Sequence, residues 1–265
     1  MIARLRLMPR RRSATRANAA PFTAQHCLNC GDPRLDAYCP RCGQARVGRL
    51  GAGALWSETW TRWRVFEFSL VQALWQVLRG PGHVALDYVQ GARRRHVHPL
   101  KLWLFVAALQ LLLVQRSGYL DAEGAELGAA LALIQTWSNF AFAIGGLALW
   151  LACVLVLKRS YTLAEHAVLA AYTHSLVLAA ATLLKLPVLA WRSPEFLALH
   201  QSIAPHAQDL VGALALGIAA RQFFGLRGIG GLLHLLLLIA VFLAGKWLLL
   251  RSFGHALGAY VRSQL

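Results

Sequence analysis

Four cysteines within sixteen residues, Cys27, Cys30, Cys39 and Cys42, carry the clearest chemistry in this sequence. They form two CxxC pairs eight residues apart, and each pair is followed by a glycine, Gly31 and Gly43. Two residues between cysteines let both sulfurs of one tight turn point at a single ion. The glycine permits a left-handed backbone that turns amides toward the thiolates. Four thiolates complete a tetrahedral zinc site with no position left for a substrate, so the expected role of Zn2+ is structural. A module spanning residues 27–44 is too small to bury a core, and the metal is expected to supply its folding energy. A redox-active CxxC needs only one pair on a larger scaffold, and disulfides need an oxidising compartment. The fifth cysteine, Cys153, stands alone in an apolar run, where it reads as a small buried hydrophobe.

A second set of candidates consists of ionisable residues in or beside apolar runs: Glu165, His166 and His234, with His174 and Lys185. Charge inside a bilayer is costly and therefore functional by default. For Glu165 and His166 the default competes with a plainer role, because a carboxylate favours a helix N-terminus. His166 and His174 are eight positions apart, about 80° around a helix, and so share a face only loosely. The chain has no Walker A loop, GxSxG elbow, HExxH pair or dinucleotide fingerprint, which weighs against an enzyme.

These residues must be positioned by a membrane-embedded scaffold. The chain of 265 residues is 57% hydrophobic and only 14% charged, against about a quarter charged in an ordinary soluble domain. The expected fold is an all-α integral membrane helical bundle of about five spans with a small N-terminal zinc ribbon built on the four cysteines. Apolar runs at residues 140–157, 167–184 and 229–250 are the best spans, with 100–115 and 210–226 shorter and four spans the alternative. Residues 192–209 read as a loop on the outer side. The implied organisation is a disordered basic tail at 1–25, the ribbon at 26–46, amphipathic juxtamembrane helices at 55–98, the bundle at 99–251 and a C-terminal tail at 252–265. Residues 55–78 mix Trp56, Trp60, Trp63 and Trp75 with Arg62 and Arg64, a composition suited to lying on the headgroup layer.

Charge then sets the orientation. Residues 1–101 hold 17 of the 27 basic residues and 5 of the 11 acidic ones. Arg93, Arg94, Arg95 and Lys101 precede the first span, whereas Asp121, Glu123 and Glu126 follow it. The positive-inside rule places the N-terminus in the cytoplasm and makes those four basic residues the expected lipid contacts. Nucleic acid is a minor alternative, since the arginines cluster outside the cysteine module as much as within it.

The order CLNCG, YCPRCGQ, GPG and YVQGARRRHVHP, followed by several spans, resembles a bacterial family of zinc-ribbon membrane proteins filed as a domain of unknown function. YTLAEH from Tyr161 and AARQFFG from Ala219 are similar to later parts of that family, so the resemblance runs over about residues 27–250. It implies no established activity. The expected function is a non-catalytic scaffold or adaptor of the bacterial inner membrane, contacting membrane lipids and a cytosolic protein through its ribbon. The alternatives are a transporter or lipid-handling protein using Glu165, His166 and His234, and a membrane enzyme using the same groups.

Overall fold

The computed structural model describes residues 25–33, 36–61, 69–117, 141–157, 161–191 and 193–264. Residues 1–24 of the expected basic tail, residues 62–68 of the Trp-rich stretch, the acids Asp121, Glu123 and Glu126, and Lys158 and Arg159 after the apolar run at 140–157 lie outside those residues.

Eight helices are described: α1 (Ala52–Thr61), α2 (Ser69–Arg79), α3 (Pro81–Val89), α4 (Pro99–Ser117), α5 (Ala141–Val156), α6 (Leu163–Ala190), α7 (Pro194–Phe224) and α8 (Gly228–Gln264). Among the described residues there is no strand, only an isolated bridge between Tyr38 and Ala45. Four helices, α4, α6, α7 and α8, are long and apolar enough to cross a membrane, while α5 is shorter at 16 residues. The chain is therefore an all-helical, multi-pass membrane protein.

Local signals explain where the helices begin and end. Thr162 caps α6 in a reciprocal capping box with Glu165. Ser193 caps α7, whose first residue is Pro194, and Gly225 closes it in the left-handed conformation at φ 65°. The expected loop at 192–209 is therefore a correction: from Pro194 onward it is the first half of a 31-residue helix. Pro205 lies inside that helix and reads in sequence as a breaker, yet one missing N–H does not end a helix supported on both sides. The expected tail beyond residue 251 is likewise the continuation of α8.

Contacts between helices fix their directions. Trp103 donates its indole N–H to His174 Nδ1 at 2.8 Å, and Thr182 donates to Gln110 at 2.7 Å, so α4 and α6 run parallel. On α5, Gly145 and Gly146 face the His174 ring, whereas Trp150 donates to the Leu163 carbonyl at 3.0 Å, so α5 runs antiparallel to α6. Asp209 pairs with Lys246, and Gly212 faces Phe242, so α7 and α8 are antiparallel. Two parallel helices with an antiparallel one between them require the chain to return between α4 and α6.

The helices are not flush at the end nearest the cysteines. The Tyr172 hydroxyl donates to the Val97 carbonyl at 2.5 Å, just before α4 begins. Tyr172 is the tenth residue of α6, so the first turns of α6 project about 14 Å past the start of α4. Around that projection pack α2, α3 and the final turn of α7. Gly82 makes the packing possible, since a Cβ there would sit 2.2 Å from the Ala219 carbonyl oxygen.

Candidate metal centre and the layer that holds it

The two cysteine turns are copies of one another. In the first, the Gly31 N–H donates to the Cys27 carbonyl and the Cys27 N–H donates to the Asp32 carbonyl, both at 2.8 Å. In the second, Gly43 donates to Cys39 at 2.7 Å and Cys39 donates to Gln44 at 2.8 Å. Gly31 and Gly43 have φ of 78° and 67°, the left-handed backbone expected of them. Together the turns bring four sulfurs within 4.8 Å of one another.

The spacing fits a tetrahedral ion. Cys27 Sγ lies 3.6 Å from Cys42 Sγ, and Cys30 Sγ lies 3.6 Å from Cys39 Sγ. A metal–sulfur bond of about 2.3 Å gives tetrahedral edges of about 3.8 Å, whereas a disulfide would bring two sulfurs to about 2.0 Å. Burial pushes the Cys30 thiol up to about 12. Burial also opposes ionisation of Cys42, but hydrogen bonds from Gln44 and Asn29 outweigh it and bring that thiol down to about 7. Four crowded thiols need a cation before all can ionise, and the cluster can hold a metal ion.

The residues just after the second knuckle tie the centre to the bundle. Gln44 is 2% exposed; its Nε2 donates to the Gly91 carbonyl at 2.7 Å and its Oε1 accepts from the Arg94 N–H at 3.0 Å. The Arg94 guanidinium returns a bond to the Gly43 carbonyl at 2.8 Å. Gly91 has φ 104° and touches the module so closely that a Cβ would lie 2.6 Å from Leu28 Cδ1. Arg93 donates to the Gly48 carbonyl at 2.8 Å and pairs with Glu58, which also accepts from the Tyr88 hydroxyl.

Arg49 and Leu50 engage the projecting start of α6. Arg49 meets Glu165 through two bonds of 3.1 Å, and the Thr162 hydroxyl donates to the Leu50 carbonyl at 3.0 Å. Glu165 is thus both half of a capping box and the partner of Arg49. His166 Nδ1 donates to the Thr162 carbonyl at 2.8 Å, and its ring packs against Tyr161 and Phe224. Burial, reinforced by the Glu165 charge, pushes the Tyr161 phenol up to about 12, so it serves as a neutral ring on Phe223.

The segments that stand out in the sequence therefore meet in one layer. CGQ, GPG, GARRR, YTLAEH and AARQFFG, spread over nearly 200 residues, pack at the same end of the bundle. Several placements differ from expectation. Arg93, expected at the lipid surface, is 2% exposed, because its guanidinium is consumed by Glu58 and Gly48. Arg94 turns to the cysteine module, whereas Arg95 is exposed and Lys101 half-buried. Glu165 and His166 lie about 10 Å along α6 before Tyr172, on the module side of the start of α4. His234 does not join them: it is exposed, with its ring on the Gly230 carbonyl of its own helix. Gln44, Arg49, Gly91, Thr162 and Gln222 carry no site signal of their own in the sequence, although each lies in or beside a segment that does.

A protein-family profile described as "Protein of unknown function (DUF3667)" matches residues 69–111, from α2 through the GARRR turn into α4. The match is narrower than the resemblance read from sequence and leaves the cysteine module outside it. Comparisons with curated proteins and with solved structures gave no match.

Proposed function

We propose that this chain is a non-catalytic scaffold of the bacterial inner membrane, in which a zinc-folded cysteine module is held as a fixed platform on the cytoplasmic face. The observation that carries the reading is the use to which the polar candidates are put. Glu165 serves Thr162 and Arg49, and His166 serves Thr162, so both are consumed by the fold. Zinc suits four thiolates with tetrahedral spacing. The module leaves Tyr38, 67% exposed, and Arg41 on its free surface, residue types that anchor protein partners. Cross-linking of the tagged full chain in cells followed by purification tests the reading. A protein partner recovered in proportion to the chain, lost in Cys39→Ser and kept in Glu165→Gln, is the expected result. Equal recovery in both variants would remove the platform role.

A transporter is the second reading, favoured by the Asp209–Lys246 ion pair between α7 and α8 and by His174 buried at the α4–α6 contact. If it holds, Asp209→Asn abolishes the cellular phenotype at normal abundance.

A further inference from the structure

Arg93 and Arg94 of the basic turn before α4 are taken up by Glu58 and the cysteine module, which leaves open what else holds this end of the bundle to the membrane surface. Helix α2 has the required placement. Gln76 Oε1 accepts from His96 Nδ1 at 3.2 Å, three residues before α4 begins, so the C-terminal half of α2 lies level with the entry of the chain into that span. Gly80, directly after α2, faces Gln222 in the final turn of α7. The His96 contact sets this end of α2 at the height where α4 enters the bilayer.

The two faces of α2 differ sharply. Leu70, Ala73 and Val77 are buried in the common core. On the opposite side Val71, Trp75 and Leu78, spaced as i, i+4 and i+7, are 72%, 52% and 54% exposed. The Arg79 guanidinium stands 4.6 Å above the Trp75 ring, and Arg95 is exposed in the turn before α4. An exposed apolar stripe at headgroup height, ending in a Trp–Arg stack, matches the interfacial helices of membrane proteins.

We propose that α2 is a lipid-binding foot: Val71, Trp75 and Leu78 enter the headgroup–acyl boundary of the leaflet on the module side, and Arg79 takes the phosphate of an anionic phospholipid. Two arguments select lipid over a second copy of the chain. Helix α2 packs against α4, one of the spanning helices, whose own Leu104 is exposed. Its polar edge is positive in a chain of formal net charge +16, which repels its own copies and attracts an anionic leaflet. The proposal is independent of the scaffold reading, because a transporter would need the same foot.

The test uses the full chain in nanodiscs of equal parts phosphatidylcholine and phosphatidylglycerol, carrying Val71→benzoylphenylalanine or Leu78→benzoylphenylalanine, with Tyr38→benzoylphenylalanine on the module as control. Illumination and mass spectrometry are expected to give lipid adducts at positions 71 and 78 and none at 38. The phosphatidylglycerol share should exceed the phosphatidylcholine share by about fivefold, the preference of one basic residue near an anionic surface. Arg79→Gln should abolish that preference while the adducts remain. Cross-linked dimers in place of lipid adducts, no adduct at either position, or a preference unchanged in Arg79→Gln would each overturn the proposal.

Discussion

The behaviour of single residues depends on the groups each one touches. Cys39 supplies a sulfur and both backbone bonds of its turn, so Cys39→Ser should bring bound metal well below one ion per chain by elemental analysis. Metal binding requires thiolates, and Cys30 is held up at about 12 while Cys42 is lowered to about 7. Protons therefore compete with the ion more strongly as pH falls, and a chromophoric chelator should strip the metal faster at pH 5 than at pH 8. Glu165→Gln keeps a side chain able to close the capping box but removes the charge facing Arg49. Arg49 is 42% exposed, so the pair is partly screened and its loss should cost only about 1 kcal/mol. Glu165→Ala loses both roles and should unfold at clearly lower temperature than Glu165→Gln. The cysteine pairs and their glycines are legible from spacing alone, because the chemistry is local. The fate of Arg93 is not: an arginine run before a span reads as a lipid contact, and its acceptors, Gly48 and Glu58, are 45 and 35 residues away.

At the scale of elements, close approach is what the structure demands of particular glycines. A Cβ at Gly82 would meet backbone of α7 at 2.2 Å, one at Gly212 would meet only the Phe242 ring at 3.2 Å, and one at Gly53 would meet nothing within 4 Å. Gly82→Ala should therefore cost about 3 kcal/mol, Gly212→Ala about 1, and Gly53→Ala should be neutral or slightly stabilising. Thermal unfolding of the full chain in detergent checks the order, and a Gly82→Ala protein as stable as Gly53→Ala would refute the docking of α3 on α7. Hydropathy locates all five apolar runs to within a few residues but stops two of them short. The start of α7 carries Pro194, Glu195 and Pro205, polar and breaker signals that look like a loop until Ser193 is recognised as a cap. The end of α8 carries Arg251 and Arg262, which read as a tail, although charges on an exposed helix face do not interrupt it.

For the whole molecule the claim is that metal centre, basic turn and helix bundle form one folded unit. Helices α4 and α6 are parallel and α5 runs back between them in chain order, so if the 16-residue α5 crosses as well as the four longer helices, the chain makes five passages and its two ends lie on opposite sides of the membrane. Reporter fusions at the two ends should report opposite compartments; the same compartment would restore the four-span alternative. This register is invisible in sequence, because hydropathy counts spans without saying which neighbours share a height. Docking is the more consequential part, and the Arg94 amide, which donates to Gln44 Oε1 at 3.0 Å, reports it directly. Its hydrogen exchange in the metal-loaded full chain can be compared with that in Gln44→Ala, with both proteins shown to carry one metal. The account predicts a protected amide that exchanges about thirtyfold faster in the variant, the loss of roughly 2 kcal/mol of buried hydrogen bonding. Equal exchange in the two proteins would mean that the cysteine module hangs free of the bundle, and the account would be wrong.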